Sequence, residues 1–180
     1  MNTGAGITAP GQAVLGIAGW SGSGKTTLIT RLIPVLVGRG LRVSTVKHAH
    51  HRFDIDTPGK DTWRHREAGA TEVLVASDRR VALMRELRDE TEPGLDALLQ
   101  RLAPVDLVLV EGYKSGNHPK IEVHRAATGK PPLYPDDPTV LAVVSDAVTS
   151  ATAGRPVFAL DAIEAIADFA AAQVAARVRS

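Results

Sequence analysis

The chain has 180 residues, a net charge of +1, 44% hydrophobic residues and no cysteine. This length suits one compact domain, and the hydrophobic content fills its core, which excludes global disorder. Without thiols, a disulfide scaffold, thiol catalysis, iron–sulfur clusters and cysteine-based zinc sites are excluded. The balanced charge gives no overall preference for nucleic acid, so any charge-dependent function must be local.

We expect a flexible lead-in over residues 1–12 and a single domain over 13–180. The N-terminus lacks the basic and apolar regions of a signal peptide. The apolar runs are shorter than the about 20 residues that span a bilayer. The sequence therefore predicts a cytoplasmic protein with no membrane partner.

Strands and helices are predicted to alternate along the chain. The nearly all-apolar segment 14–18 is typical of a buried parallel strand, and a glycine-rich turn and a helix over 25–37 follow it. Pro34 inside that helix predicts a kink or a π-type turn. Further strands are predicted at 41–46, 72–76, 80–84, 106–110, 121–125, 140–144 and 157–160, and further helices at 60–67, 95–102 and 163–179. The alternation predicts a three-layer α/β domain with a mostly parallel central sheet.

The turn after the first strand carries a phosphate-binding loop. Residues 19–26 match G-x-x-x-x-G-K-[ST] at every fixed position, between a predicted strand and a helix, as a P-loop requires. Lys25 is expected to reach the β- and γ-phosphates of a nucleoside triphosphate, and Thr26 to bind Mg²⁺. Trp20 either packs on the surface or stacks on a ring. The predicted phosphate-binding residues are Gly19, Trp20, Ser21, Gly22, Ser23, Gly24, Lys25 and Thr26.

An acid is expected at the carboxyl end of a second buried strand, where ligands of open α/β sheets bind. Asp106 opens the strand at 106–110 and should lie at the far edge of the sheet, whereas Glu111 follows the strand and should face the phosphates. Glu111 is therefore predicted to bind Mg²⁺ through water or to position a water. The alternative is an acid that only caps a loop.

The segment after the second strand is basic and rich in histidine. It contains Lys47, His48, His50 and His51, and it begins at the same sheet edge as the P-loop. Three interpretations stay open: a wall that binds triphosphate or a phosphorylated small molecule, a transition-metal site, and a solvated loop.

Three aspartates have two interpretations each. Asp54 and Asp56 either serve phosphoryl transfer, by holding Mg²⁺ or by orienting the attacking group, or cap the helix at 60–67. Asp146 follows a late strand, where its carboxylate either accepts hydrogen bonds from a guanine base or caps the strand. The Asn-Lys-x-Asp signature of guanine-binding proteins is absent from the sequence.

With these residues in place, the chain resembles the molybdopterin-guanine dinucleotide biosynthesis adaptor family, MobB. The resemblance rests on the P-loop, on the histidines with the run 53–61, and on Glu111-Gly112-Tyr113-Lys114, and it covers about residues 13–148. It implies a P-loop NTPase fold and a homodimer that binds GTP with Mg²⁺ and has weak GTPase activity. It also implies that the protein assists a separate guanylyltransferase, which attaches GMP to molybdopterin, and that it binds the transferase or molybdopterin.

The resemblance also implies roles for individual residues. Residues 22–27, including Thr27, bind phosphates, Thr26 binds Mg²⁺, and Glu111 belongs to the nucleotide site. Guanine specificity is implied by the resemblance alone. The candidates for phosphate or pterin contacts are Lys47, His48 and Lys114.

Two other functions fit the same motifs. A small-molecule kinase would use the P-loop and the acids at 54 and 56, with a lid around Arg79, Arg80 and Arg85. A metal-insertion GTPase has a similar architecture, although the missing cysteines count against it. Turnover that depends on an acceptor would favour the kinase, and stoichiometric metal binding would favour the metal-insertion GTPase.

Overall fold

The structure, a computed structural model, describes residues 12–49, 53–147, 152 and 154–178. These residues fall into two compact units, one reaching to His48 and resuming at Leu95, the other spanning Ala49–Gly94. The predicted lead-in lies outside the described residues except for Gln12. No helix in the described ranges is long and apolar enough to cross a membrane. The strands and helices are β1 (Ala13–Ala18), α1 (Lys25–Gly38), β2 (Val43–Lys47), α2 (Asp61–Glu67), β3 (Glu72–Ala76), β4 (Val81–Arg85), α3 (Leu95–Leu99), β5 (Leu107–Glu111), β6 (Lys120–His124), β7 (Val140–Ser145), β8 (Val157–Phe158) and α4 (Ile163–Val178).

A parallel sheet forms the centre of the first unit. Among the described residues it has six strands, in the order β2-β5-β1-β6-β7-β8. β1 pairs in parallel with β5 on one side and with β6 on the other. Because the strands are parallel, their carboxyl ends lie along one edge of the sheet. The predicted α/β fold with a mostly parallel sheet is confirmed.

Alternate side chains of the strands pack on opposite faces of this sheet. Leu107 and Leu109 of β5 belong to the core that contains α1 and α4, whereas Val108 and Val110 pack with Leu99 of α3 on the other face. All four strand residues are fully buried. The first unit therefore has helices on both faces of its sheet, which gives the three predicted layers.

Two predicted helices differ in detail from the structure. α1 continues as a regular helix through Pro34, so the predicted π-type turn is wrong. The Pro34 ring is exposed, and four buried side chains of α1 hold the helix on the sheet despite the missing N–H. α3 ends at Leu99 instead of residue 102, because its last turn tightens into bonds from Arg101 N to Leu98 O and from Leu102 N to Leu99 O.

The second unit contains α2 and the antiparallel hairpin of β3 and β4. The hairpin places Leu74 opposite Leu83 and Ala76 opposite Val81 on one face. The side chains of Leu74, Val81 and Leu83 are 66%, 66% and 53% exposed. We call this face of the hairpin the apolar hairpin face, and the described residues of its own unit leave it uncovered.

Candidate nucleotide site

The P-loop leaves the carboxyl end of β1 at the centre of the sheet edge. Gly19 has a φ of +140°, and a Cβ there would come within 2.3 Å of the Val123 carbonyl oxygen. Gly24 has a φ of +99° and precedes the first residue of α1. Both positions require glycine, because a side chain would clash or strain the backbone. The loop and helix N-terminus together form the geometry that P-loops use to bind phosphates.

Thr26 and Glu111 come together at this edge. β1 and β5 are neighbours, and the Thr26 hydroxyl donates a hydrogen bond to Glu111 Oε1 at 2.8 Å. The Glu111 side chain is 15% exposed, and Lys47 Nζ lies 3.8 Å from the same oxygen. A hydroxyl and a carboxylate are hard oxygen ligands of the kind that Mg²⁺ prefers, so the pair fits the predicted ion.

Lys25 follows Gly24 and lies close to the loop that it is expected to complete. Its Nζ donates a hydrogen bond of 2.8 Å to the Trp20 carbonyl oxygen. Burial lowers the pKa of Lys25, Glu111 opposes this shift, and the positive charges of Lys114 and Lys47 add to it. Three lysines thus meet around one carboxylate, which gives the site an excess of positive charge that suits a polyphosphate.

The other P-loop residues differ in exposure. Ser21 and Gly22 are exposed, whereas Ser23 is buried and its Oγ finds no hydrogen-bond partner among the described residues. Thr27 lies exposed in the first turn of α1, and its carbonyl oxygen accepts a hydrogen bond from Thr30 Oγ1. The loop therefore presents its exposed tip and the start of α1 to solvent.

Asp106 lies at the opposite edge of the sheet from Glu111. Its Oδ1 accepts a hydrogen bond of 3.1 Å from Arg42 Nη2, and its Oδ2 accepts one from the Arg42 backbone N–H. The hydrogen bond from Arg42 lowers the pKa of Asp106. Asp106 and Glu111 therefore lie at opposite ends of β5, as the direction of the predicted strand required.

Trp20 extends from the P-loop into a small group of basic side chains. Its Nε1 donates a hydrogen bond of 2.8 Å to the Pro131 carbonyl oxygen. Lys114 Nζ lies 4.2 Å from the centre of the Trp20 ring, and Lys130 Nζ lies 5.8 Å from it. These are cation–π distances, so the Lys114 ammonium group lies over the indole ring beside the P-loop.

His48 and Tyr113 link the ends of β2 and β5. Their rings stack with centroids 4.7 Å apart. The backbone N–H of His48 donates a hydrogen bond of 2.9 Å to the Glu111 carbonyl oxygen. Gly112 has a φ of +100°, and a Cβ there would lie 2.9 Å from His48 Cβ. Lys47 is adjacent to Glu111 in the strand register. The structure therefore gathers Lys47, His48 and Lys114 around the carboxyl ends of these strands.

Asp54 and Asp56 lie in the second unit, where both bind Arg66. Arg66 Nη2 is 2.9 Å from Asp54 Oδ2, and its Nε is 3.2 Å from Asp56 Oδ2. The Arg66 hydrogen bond lowers the pKa of Asp54, and a hydrogen bond from Thr62 lowers the pKa of Asp56. Neither acid caps α2, whose first turn has no side-chain cap. Their roles toward a metal or an attacking group stay predictions.

Asp146 follows β7 beside a cavity at the same sheet edge. Its Oδ1 accepts a hydrogen bond of 3.2 Å from the Ala126 N–H. The cavity has a volume of about 330 Å³ and lies between the ends of β7 and β8 and the start of α4. Its lining residues are Ser145, Asp146, Val157, Phe158, Ala159, Leu160 and Asp161. A carboxylate at the rim of a partly apolar cavity is a suitable acceptor for a nucleotide base.

One residue near the P-loop was absent from the sequence-based site. Arg125 follows β6, and its guanidinium lies 3.5–3.8 Å from the position that a Gly24 Cβ would occupy. The carboxyl end of the strand predicted at 121–125 was a signal that could have identified it.

His50 and His51 of the predicted metal site lie outside the described residues. Within the described ranges, no cluster of three or more His, Asp or Glu side chains could hold a metal ion.

Comparison with known proteins connects this geometry to one family. The family model described as molybdopterin guanine dinucleotide synthesis protein B matches residues 14–146. The molybdopterin-guanine dinucleotide biosynthesis adapter protein of Haemophilus influenzae is 45% identical over 158 residues, which cover 87% of this chain and 86% of that protein. Its counterpart from Escherichia coli is 42% identical over 159 residues, covering 87% and 90%.

Solved structures agree with the sequence comparisons. A crystal structure of molybdopterin-guanine biosynthesis protein B is 35% identical and superposes with a TM-score of 0.70, covering 88% of this chain and 98% of that one. A MobB homologue from Bacillus stearothermophilus is 28% identical, with a TM-score of 0.65, covering 91% and 98%. The chain therefore belongs to the molybdopterin guanine dinucleotide synthesis protein B family.

Proposed function

We propose that this protein is a GTP-binding adaptor that assists a guanylyltransferase in attaching GMP to molybdopterin. The observation that carries the proposal is the Thr26–Glu111 pair beside a complete P-loop. The relatives described above are named as adapter proteins of molybdopterin-guanine dinucleotide biosynthesis, which supports the same pathway. We place the protein in the cytoplasm, where GTP is available.

The nucleotide site would hold GTP together with Mg²⁺. Backbone N–H groups of the P-loop bind the phosphates, Lys25 reaches the β- and γ-phosphates, and the Thr26 hydroxyl binds the ion. Mg²⁺ would neutralise part of the phosphate charge. Glu111 holds Thr26 Oγ1 at 2.8 Å and is placed to bind the ion through water or to orient a water. Hydrolysis by this set would be slow, so GTP acts mainly as a bound signal.

Guanine specificity is part of the proposal and rests on Asp146. A carboxylate accepts hydrogen bonds from the N1–H and N2 groups of guanine, whereas adenine presents an acceptor at N1. Asp146 lies at the rim of the 330 Å³ cavity at the sheet edge that carries the P-loop. Its other oxygen, Oδ2, is the proposed acceptor, because Oδ1 already accepts a hydrogen bond from the Ala126 N–H.

The basic side chains next to Glu111 would bind the second ligand. Lys47 is exposed, and Lys114 lies over the Trp20 ring. Molybdopterin carries a phosphate and a planar ring system, so it offers an anion to the lysines and a face to the His48–Tyr113 stack. We propose these groups as the surface that receives molybdopterin or the transferase that carries it.

A homodimer is also part of the proposal. The apolar hairpin face exposes Leu74, Val81 and Leu83, and a two-stranded sheet leaves its strand edges open. Exposed apolar patches on a sheet favour association with another surface. A second copy of the chain offers an identical face, which suits a two-fold interface.

Calorimetric titration with GTP, ATP and GDP in the presence of Mg²⁺ tests the nucleotide proposal. We expect GTP to bind at least tenfold more tightly than ATP, a difference of about 1.4 kcal/mol. Asp146→Ala should reduce this preference, whereas Asp136→Ala, which removes another exposed carboxylate, should keep it. Equal or tighter binding of ATP would refute guanine specificity and favour a kinase, for which phosphate acceptors would then be screened.

A further inference from the structure

Arg125 is a basic residue beside the P-loop that the proposed function does not use. The atoms nearest to the position of a Gly24 Cβ are Arg125 Nη2 at 3.5 Å, Nε at 3.6 Å and Cζ at 3.8 Å. The whole guanidinium therefore lies against the last glycine of the loop. Gly24 directly precedes Lys25, so Arg125 flanks the part of the loop that binds phosphates.

The backbone fixes Arg125 at this position. A 3₁₀ turn over Ala126–Thr128 begins directly after it. Asp146 accepts a hydrogen bond from the Ala126 N–H, and the Thr128 hydroxyl donates one of 2.8 Å to the Arg125 carbonyl oxygen. The first bond joins the ends of β6 and β7, and the second lies within the 3₁₀ turn. The backbone of Arg125 is thus held by a turn that connects two adjacent strands.

The charge of Arg125 lacks a counter-ion within the described residues. Its Nε is buried and has no hydrogen-bond partner there, and the guanidinium takes part in none of their ion pairs. A buried cationic donor without an acceptor is destabilising. An anion that entered the loop would supply the missing acceptor, and a guanidinium binds phosphate oxygens with paired hydrogen bonds.

The strand order indicates which phosphates Arg125 would meet. Glu111 and Lys47 end β5 and β2, on one side of β1, whereas Arg125 and Asp146 follow β6 and β7 on the other side. The Mg²⁺ and γ-phosphate end of a triphosphate belongs beside Thr26 and Glu111, and the base beside Asp146. In the strand order, Arg125 lies between Asp146 and the loop, so a nucleotide bound in this direction would bring its α- and β-phosphates next to the guanidinium.

We propose that Arg125 is a nucleotide-binding residue that contacts the α- and β-phosphates, so that it contributes equally to GTP and GDP affinity. This inference rests on the proposed nucleotide site and adds a residue to it. It differs from a role at the γ-phosphate, which would distinguish GTP from GDP.

The test measures GTP and GDP affinity of Arg125→Met and Arg125→Lys by calorimetry. Methionine keeps most of the side-chain volume without the charge. We expect Arg125→Met to lower the affinity for GTP and for GDP by about 10- to 100-fold, the loss that one or two charge-assisted hydrogen bonds produce. Arg125→Lys should retain part of the affinity. The control Arg101→Met removes the same charge at an exposed position of the same unit and should bind as the wild type does.

Thermal unfolding separates this role from a purely structural one. Without nucleotide, Arg125→Met should be at least as stable as the wild type, because the substitution removes the buried Nε donor, which has no acceptor among the described residues. The increase in melting temperature on adding GDP should be smaller in the variant. Lower stability of the free variant with wild-type GDP affinity would overturn the inference, as would a loss confined to GTP. If the wild type bound neither nucleotide, the proposed function itself would fail.

Discussion

At the scale of single residues, the Thr26–Glu111 hydrogen bond would couple the proposed Mg²⁺ binding to nucleotide binding. The hydroxyl that would bind Mg²⁺ is held by a carboxylate whose side chain is 15% exposed. A weakly hydrated carboxylate next to a metal-binding hydroxyl holds that hydroxyl in one orientation. Loss of the Thr26 hydroxyl should therefore lower the affinity for GTP only when Mg²⁺ is present.

Thr26→Ala tests this dependence on Mg²⁺. In the wild type, Mg²⁺ should raise GTP affinity, and in Thr26→Ala most of that increase, about tenfold or more, should disappear because the ion loses a protein ligand. Thr30→Ala is the control, since Thr30 lies exposed one turn further along α1. The measurement is GTP titration with and without Mg²⁺. An undiminished Mg²⁺ effect in Thr26→Ala would show that Thr26 does not bind the ion.

Strand polarity made some site residues predictable from the sequence. Glu111 was distinguished from Asp106 because the two ends of a parallel strand lie at opposite sheet edges, and the structure places them so. Arg125 was not identified, because the end of β6 does not by itself show which following side chain turns back onto Gly24. The turn after Arg125 is held by the hydrogen bond between Asp146 and Ala126, which joins residues 20 positions apart and is not visible in the sequence.

At the scale of elements, close packing between β1 and the start of β6 fixes the strand that carries the P-loop. A Cβ on Gly16 would lie 2.6 Å from His118 Nε2 and 2.9 Å from Lys120 Cγ. Lys120 is fully buried and bonded to Gly116, Asp137 and Thr139, so it cannot move aside. Burial lowers the pKa of His118 to about 4, which keeps its ring neutral at neutral pH. β1 is therefore held tightly against its neighbour.

Gly16→Ala should destabilise the protein by about 1–3 kcal/mol, because the added methyl group overpacks this contact. Gly38→Ala is the matched control. Nothing lies within 4 Å of a Cβ on Gly38, which ends α1, so alanine there should leave stability unchanged or raise it by up to about 1 kcal/mol. Urea unfolding of both variants measures the difference. Equal stability of the two would contradict the packing account.

The order and type of the helices and strands could be predicted from the hydrophobic pattern and from glycine and proline positions. The interior of α1 and the end of α3 could not. The apolar run of β1 and the glycines after it predicted a buried strand and a turn, and both are present. In α1, the π-type turn expected at Pro34 is absent, because four buried side chains hold the helix on the sheet although one backbone hydrogen bond is missing. The end of α3 was placed too late because apolar spacing does not distinguish an α-helical last turn from a 3₁₀ turn.

At the scale of the whole molecule, the apolar hairpin face is an exposed hydrophobic surface of the kind that favours association. Two runs separated by a short polar turn predicted β3 and β4, but not that Leu74 and Leu83 would stay exposed, because exposure depends on which elements pack nearby. The oligomeric state was for this reason inferred from the family resemblance. The structure adds a surface on which the proposed dimer can be tested.

Leu83→Glu should convert the proposed dimer into a monomer, because a charge in an apolar interface is unfavourable. Val37→Glu is the control, since Val37 lies on α1 and is 53% exposed, as Leu83 is. Sedimentation should give twice the chain mass of 19.0 kDa for the wild type and Val37→Glu, and the chain mass for Leu83→Glu. A monomeric wild type would refute the dimer, and a dimeric Leu83→Glu would exclude the apolar hairpin face as its interface.

The central claim is that nucleotide bound at the P-loop lets this protein assist guanylyl transfer to molybdopterin. The most direct measurement is the rate at which the guanylyltransferase forms molybdopterin guanine dinucleotide at limiting GTP, with and without this protein. We predict that the wild type raises the rate, that Arg31→Ala on the exposed face of α1 raises it equally, and that Lys25→Ala does not. An unchanged rate with the wild type, or equal stimulation by Lys25→Ala, would contradict the account.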